Sequence, residues 1–142
     1  MAIDITSFKN AISQLEKAIG YANSPLAASD PGLREQLRNS VIQCFEFTYE
    51  LGHKMLKRHL EATSASPDEV DLSTFQNLIR TGSERGLLRS DWSMWRTYRQ
   101  ARTDSSHTYD AAKAEAVFAV APGFLAEAHV LLRNLQSRSA AV

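Results

Sequence analysis

The sequence predicts an all-α domain, specifically an antiparallel up-down four-helix bundle with one additional short helix. Five segments carry apolar residues at helical spacing, and none shows the sustained alternation that is typical of strands. With 44% hydrophobic residues, six glycines and four prolines, the chain of 142 residues is globular and not disordered. We expect a single domain over residues 1–142, because this length buries about two-thirds of the unfolded surface without disulfides.

The first two helices are the most clearly patterned. The first is predicted over residues 6–22. Its apolar stripe consists of Phe8, Ile12, Leu15 and Ile19. The second begins at Asp30 and Pro31, a capping carboxylate followed by a proline, and continues for about thirty residues to Leu60, roughly 45 Å. Gly52 inside this helix is predicted to allow a close helix crossing.

A polar linker, residues 63–71, separates the second helix from a shorter third one. The apolar face of the third helix consists of Phe75, Leu78 and Ile79, and Gly86 is its expected C-terminal stop. When the four longer helices pack antiparallel, this short helix is the additional one and lies across one end of the bundle.

A polar break separates the last two helices. Ser90 or Asp91 is the expected cap of the fourth helix, and Asp110 is the expected cap of the fifth, which runs to about Ser137. Pro122 is predicted to kink the fifth helix, because proline removes a backbone hydrogen bond and clashes with the preceding turn.

Composition excludes several classes of function. Sixteen basic residues balance sixteen acidic ones, which argues against a grip on DNA or on an anionic membrane over the whole surface. The most apolar stretch, residues 114–132, contains two glutamates, a histidine and a Pro-Gly pair, so no membrane span is predicted. One cysteine and no secretory signal indicate a cytoplasmic protein. Neither a phosphate loop nor a metal-ligand spacing occurs, so we expect no cofactor and no metal.

Positive charge is concentrated in one stretch of this neutral chain. The arginines there are Arg80, Arg85, Arg89, Arg96, Arg99 and Arg102. Trp95, Arg99 and Arg102 follow at i, i+4 and i+7, which places a ring and two guanidinium groups on one helix face. Guanidinium groups bind phosphate and an aromatic ring stacks on a base, so these residues are candidates for a nucleotide site. The alternative is that the tryptophan belongs to the core and the arginines are solvated.

The residues after this face add proton-transfer chemistry. Arg102, at a helix end, is followed by His107 and Tyr109 across the polar break, which can turn all three side chains toward one concavity. A histidine can take or give a proton near neutral pH, and an arginine can neutralise developing charge on a phosphate. Such a pair is sufficient for metal-free cleavage of RNA, in which the ribose 2′-hydroxyl is the nucleophile.

The pattern Arg102-x4-His107-x-Tyr109 resembles the RX4HXY signature of the HEPN superfamily. Within it, the chain is most similar to the branch of nucleotidyltransferase substrate-binding proteins, which includes HepT-like toxins. The sequence of the long helix, residues 37–57, and Trp92 before the motif are also similar to the family. The resemblance therefore covers about residues 8–135.

The resemblance implies a helical homodimer with the motif near the interface, and a minimal nucleotidyltransferase, encoded nearby, as its partner. The ligand would be a nucleotide, ATP or AMP, or an RNA. Arg102 and His107 would be the catalytic or nucleotide-binding pair, and Tyr109 the residue that the transferase modifies with AMP. Glu46 and Glu50 match acidic family positions and would orient the arginine or the histidine; ordinary surface carboxylates are the alternative.

Two positions depart from the family pattern. Thr103 stands where asparagine usually follows the motif arginine, and His53 replaces a common tryptophan. Asparagine has both a donor and an acceptor, whereas threonine has one hydroxyl on a stiffer side chain. We therefore rank a role as a nucleotide-binding or AMP-modified partner subunit ahead of a metal-independent ribonuclease. A helical dimer in which the motif only supports the interface is the third alternative.

Overall fold

The computed structural model describes residues 3–140, and this part of the chain forms seven α-helices. Four are long: α1 (Thr6–Ala22), α3 (Pro31–Thr63), α6 (Trp92–Asp104) and α7 (Ala111–Ala140). Three are short: α2 (Pro25–Ser29), α4 (Pro67–Asp71) and α5 (Phe75–Glu84). The predicted all-α bundle is confirmed. It has three short helices where the sequence predicted one.

The two unpredicted helices each begin with a proline. α2 starts at Pro25 after Ser24, whose hydroxyl oxygen accepts a hydrogen bond from the Ala27 amide at 3.3 Å. α4 starts at Pro67, within residues 63–71, which the sequence predicts to be a polar linker. Proline is well tolerated in the first helical turn because its missing N–H has no partner there. One helical turn therefore forms at each site without an apolar stripe to signal it.

Capping carboxylates begin the later long helices. Oδ1 of Asp30 accepts from the amide of Leu33 at 3.2 Å, which begins α3. Asp91, and not Ser90, is the cap of α6, because its Oδ1 accepts from the Ser93 amide at 3.1 Å. Asp110 takes the same role before α7 and accepts from two amides of its first turn. The sequence predictions of these three starts are confirmed.

The core is built around α3, which packs against α1 and α7. A Cβ atom at Gly52 would lie 3.2 Å from Cε1 of Phe8 on α1, so the predicted close crossing at this glycine is confirmed. Gly82 allows a second close contact, since a Cβ there would lie 3.1 Å from Cδ1 of Leu56. Absence of a side chain at these two points brings α1 and α5 close to the central helix.

An arginine–carboxylate cluster joins the N-terminal part of α3 to α7. Arg34 and Arg38 both donate to Oε1 of Glu115, at 2.8 and 3.2 Å. The hydrogen bond from Arg34 is the main cause that lowers the pKa of the Glu115 carboxyl. Arg38 is buried, and its guanidinium also donates to the side-chain oxygen of Asn39. The cluster fixes the lateral position of the two longest helices.

α7 continues through Pro122 as one helix. Between Ala111 and Arg138 it is long and apolar enough to cross a membrane by length and composition, with a mean hydropathy of 1.5. In this bundle it packs against α1, α3 and α6. Its buried apolar residues are Ala114, Val117, Ala121, Phe124, Ala128, Leu131, Leu132 and Leu135. Of the most apolar window of α7, 39% is buried in the bundle.

Candidate functional site

Residues 105–110 connect α6 to α7 and are called here the motif turn. The backbone amide of His107 donates to the carbonyl of Asp104 at 2.9 Å, and that of Asp110 donates to the carbonyl of His107 at 3.0 Å. These bonds are local, and the turn ends at Asp110, whose Oδ1 caps the next helix. The turn therefore has a defined backbone shape, with Ser105 buried and the side chains of Ser106 and Tyr109 exposed.

Arg102 lies in the last turn of α6 and is held on two sides. Its Nε donates to Oε1 of Glu50 on α3 at 2.7 Å, and one terminal nitrogen donates to Oγ of Ser105 at 3.2 Å. The Arg102 side chain is 32% exposed, so its guanidinium is fixed and still reaches solvent. Ser105 is buried and also donates to the carbonyl of Arg102 at 2.6 Å. Sequence reasoning missed Ser105; its place in the four-residue spacer, three residues after the arginine, was the only signal.

His107 and Tyr109 form a second pair. Nδ1 of His107 lies 2.7 Å from the hydroxyl oxygen of Tyr109, and the tautomer of the ring decides which atom donates. Tyr109 is 84% exposed, which is unusual for an aromatic side chain. With Nδ1 unprotonated, the histidine is placed to accept the phenolic proton.

The four motif side chains thus form two pairs. Among the residues that the structure describes, no hydrogen bond joins the Arg102–Glu50 pair to the His107–Tyr109 pair. Glu46, one turn before Glu50 on α3, is half-buried, and within residues 3–140 it makes no ion pair. The acidic residue that the structure brings to the motif is Glu50.

The predicted stacking role of Trp95 is wrong. Trp95 is 2% exposed, and its ring makes edge contacts with Tyr98 and Phe124, at centroid distances of 5.3 and 5.8 Å. It shares the buried face of α6 with Tyr98 and Ala101, so the core alternative holds for this residue. No face of the Trp95 ring is open to a nucleotide.

Arg99, in contrast, is exposed beside Arg102. Its guanidinium carbon lies 5.5 Å from the centre of the Phe75 ring, a cation–π contact with the first residue of α5. The positive charges of Arg99 and Arg102 also act on the buried phenol of Tyr49. Burial raises the pKa of Tyr49 even though both arginines oppose the shift. The sequence predicts Phe75 only as part of the apolar face of this short helix and does not predict its contact with Arg99.

Fold and site together define a class of protein: a helical domain with an exposed RX4HXY turn at the junction of its last two helices. The chain belongs to the nucleotidyltransferase substrate binding protein like family, whose family model matches residues 3–137. The resemblance noted from the sequence is confirmed.

Two relatives define its place in that family more closely. The chain is 39% identical over 107 residues to a protein of Haemophilus influenzae named probable ribonuclease HepT, a match covering 75% of this chain and 73% of the relative. It is also similar to the solved structure of HI0074 from Haemophilus influenzae, described as the fold of a substrate binding domain of a nucleotidyltransferase. That match has a TM-score of 0.87 and 32% identity, and it covers 94% of this chain and 99% of the other.

Proposed function

We propose that this protein is a homodimeric subunit that pairs with a nucleotidyltransferase and accepts AMP from ATP on Tyr109. The observation that carries the proposal is Tyr109, a residue that is 84% exposed and whose hydroxyl oxygen lies 2.7 Å from Nδ1 of His107. Membership of the substrate-binding family supports a transferase as the partner. The partner would be encoded nearby, and both would act in the cytoplasm.

The proposed reaction is a transfer to a phenolic oxygen. Oη of Tyr109 attacks the α-phosphorus of ATP, a new P–O bond forms, and the bond to the departing pyrophosphate breaks. His107 accepts the phenolic proton as the oxygen attacks, which raises the nucleophilicity of that oxygen. Arg102, fixed by Glu50 with part of its guanidinium exposed, is placed to neutralise phosphate charge. The transferase supplies the bound ATP.

The test is an intact-mass measurement. The purified protein is incubated with the neighbouring nucleotidyltransferase, ATP and magnesium, and we expect a mass increase of one or more AMP units. Tyr109→Phe should show none, because it lacks the nucleophilic oxygen. Tyr21→Phe is the matched control, since Tyr21 is 66% exposed and lies on α1 outside the motif. No mass increase in the unaltered protein, or an unchanged increase in Tyr109→Phe, would contradict the proposal.

A second candidate function is a metal-independent ribonuclease, favoured by the name of the 39% identical relative and by the presence of both Arg102 and His107. His107 would take the proton of a ribose 2′-hydroxyl, which attacks the adjacent phosphorus and displaces the 5′-oxygen of the next nucleotide. Thr103 places this candidate second: its hydroxyl donates to the carbonyl of Arg99 at 3.2 Å, within the helix. A hydroxyl engaged there is a poor substitute for the two polar groups of an asparagine amide.

The second candidate is tested by RNA cleavage in buffer containing EDTA. His107→Ala should abolish cleavage, and His129→Ala, which removes a histidine paired with Glu16 on the other side of the bundle, should not. Equal cleavage by the His107→Ala protein would remove the candidate. If neither AMP transfer nor cleavage is seen, the third alternative remains, in which the motif only supports the interface of a helical dimer.

A further inference from the structure

Three half-exposed rings lie together beside the arginines of α6. They are His53 on α3, Phe75 on α5 and Trp92 on α6, and we call them the aromatic strip. The ring centroids of His53 and Phe75 are 4.8 Å apart, and those of Phe75 and Trp92 are 6.0 Å apart. Three separate helices thus place one aromatic surface at the rim of the core.

Arg99 connects the aromatic strip to the motif. Its guanidinium lies over the Phe75 ring, and Arg102 follows three residues later on the same helix. Arg102 is paired with Glu50, whereas Arg99 makes no ion pair with any carboxylate in residues 3–140. An exposed guanidinium on an aromatic face, without an acidic partner, is free to bind an anion or to stack on a planar group.

The far end of the strip is a groove. Trp92 lines it together with Arg80 on α5, and its volume is about 480 Å³. Glu84 and Asp91 also line it, and Asp91 already accepts two hydrogen bonds from Ser93. This mixture of a ring, a cation and carboxylate acceptors suits a base, which has a π-face and amino donors, better than a bare phosphate.

We propose that the aromatic strip and Arg99 form a stacking subsite for single-stranded RNA that leads to the motif turn. One base stacks on the Arg99 guanidinium above Phe75, and a neighbouring base packs against Trp92 at the groove. The strand's phosphate then reaches Arg102. This inference rests on the RNA-cleaving candidate function, and it assigns the substrate contact to half-exposed rings in place of the buried Trp95.

General chemistry favours a polynucleotide strand over a lone phosphate on this surface. Proteins hold single strands by combining cationic side chains with rings on which successive bases stack, and bases also stack on arginine planes. Here the Phe75 ring contacts both groups on which the bases stack: the Arg99 guanidinium lies 5.5 Å from its centre, and the Trp92 ring centroid lies 6.0 Å away. A protein partner that covers the strip is the competing occupant.

The experiment measures binding separately from cleavage. The full-length protein is titrated into a fluorescein-labelled oligoadenylate of twelve nucleotides with 2′-O-methyl ribose. Because the 2′-hydroxyl nucleophile is blocked, the strand is not cleaved, and fluorescence anisotropy gives Kd. Trp92→Ala should raise Kd by about five- to a hundredfold, the range of one lost base stack. Trp92→Phe, which keeps an aromatic face, should retain most of the affinity, and Arg99→Gln should weaken binding with a smaller dependence on salt.

Met94→Ala is the matched control, because Met94 is an exposed apolar residue two positions after Trp92 and outside the strip. Its Kd should not change. If the unaltered protein binds the RNA and Trp92→Ala binds equally, the subsite is overturned while the ribonuclease candidate stands. If the unaltered protein does not bind this oligonucleotide, the subsite is overturned, and the cleavage assay in EDTA decides the ribonuclease candidate separately. If the strip variants lose the transferase and keep RNA, the strip is a protein interface and the inference is wrong.

Discussion

Two connections of similar length lead into and out of α6, and they use their polar groups in opposite ways. The α5–α6 connection, residues 85–91, is bound by side chains of a distant helix. The motif turn, residues 105–110, is bound almost entirely to itself and to the adjoining turns of α6 and α7. One connection holds the fold together, and the other presents its side chains to solvent.

The α5–α6 connection is fastened by three residues of α7. Oε2 of Glu127 accepts from the Arg89 amide at 2.6 Å, and Nδ2 of Asn134 donates to the carbonyl of Leu87 at 2.9 Å. Arg138 donates to the carbonyl of Arg85 at 2.6 Å. Glu127 and Leu87 are completely buried, so this loop is part of the core.

The hydrogen bonds of the motif turn stay within residues 101–114, except that Arg102 also reaches Glu50. Its one buried side chain is Ser105, which bonds both the guanidinium and the carbonyl of Arg102. The side chains of His107 and Tyr109 hydrogen-bond only to each other. Local bonds fix the backbone, and the two side chains to which we assign proton and phosphoryl transfer contribute little to the core. We therefore expect substitutions in the two connections to separate effects on stability from effects on activity.

The largest expected effect is the loss of the Glu127 carboxyl. Glu127→Ala leaves the buried amide of Arg89 without an acceptor and opens a cavity, so we expect about 3 kcal/mol less free energy of unfolding. Urea denaturation followed by circular dichroism measures it. Glu35→Ala, at an exposed position of α3, should stay within about 0.5 kcal/mol of the unaltered protein. A cost below about 1 kcal/mol for Glu127→Ala would mean that the loop is held mainly by its apolar residues.

The same carboxyl predicts a pH dependence. Burial is the main cause that raises the pKa of Glu127 above its ordinary value of 4.5, although the Arg89 amide opposes the shift. The folded chain therefore holds this proton more tightly than the unfolded chain does. Below the ordinary value both states are protonated, and as pH rises through the raised pKa the ionised Glu127 destabilises the fold. The unfolding free energy of the unaltered protein minus that of Glu127→Gln should fall over this pH interval, and a flat difference would contradict the shift.

A smaller effect is expected at Gly86 in the same connection. Its φ of +71° lies in the left-handed region, where a side chain costs about 1 to 2 kcal/mol. A Cβ atom there would meet Arg138 only at 3.5 Å, an ordinary contact, so the cost of Gly86→Ala should be that of the backbone alone. Gly20→Ala is the matched control: nothing lies within 4 Å of its Cβ and it is helical, so the change should stabilise by about 0.5 to 1 kcal/mol. Melting curves of the two variants measure these effects. If both substitutions shifted the melting temperature in the same direction, the left-handed conformation of Gly86 would not be the cause.

The sequence predicts the fold more completely than the site, for a physical reason. Apolar periodicity and capping carboxylates act over a few neighbouring residues, so the starts of α3, α6 and α7 follow directly from Asp30, Asp91 and Asp110. The one-turn helices α2 and α4 have no stripe and carry no such signal. The end of α5 near Gly86 is also predicted from the sequence, because a positive φ depends on the residue type at one position and glycine favours it.

Which side chains come together at the site depends on which helices pack against each other. Helical spacing in the sequence does not determine this packing. The spacing places Trp95 and Arg99 on one face, but the packing of α6 on α3 and α7 buries the tryptophan and leaves the arginine outside. The contact between Arg102 and Glu50 joins residues 52 positions apart. The motif resemblance directs attention to Arg102, His107 and Tyr109, whereas Ser105 and Phe75 emerge only from the packed chain.

The smallest expected change in stability is in the motif turn, and it completes the comparison. His107→Ala removes a hydrogen bond to an exposed phenol and no buried contact, so the free energy of unfolding should change by less than about 0.5 kcal/mol. Ser105→Ala, two residues earlier, should cost about 1 kcal/mol because buried bonds to Arg102 are lost. AMP transfer to Tyr109 should fall strongly in His107→Ala at unchanged melting temperature. A matching fall in melting temperature would show that His107 supports the fold, and the separation between the two connections would then not hold.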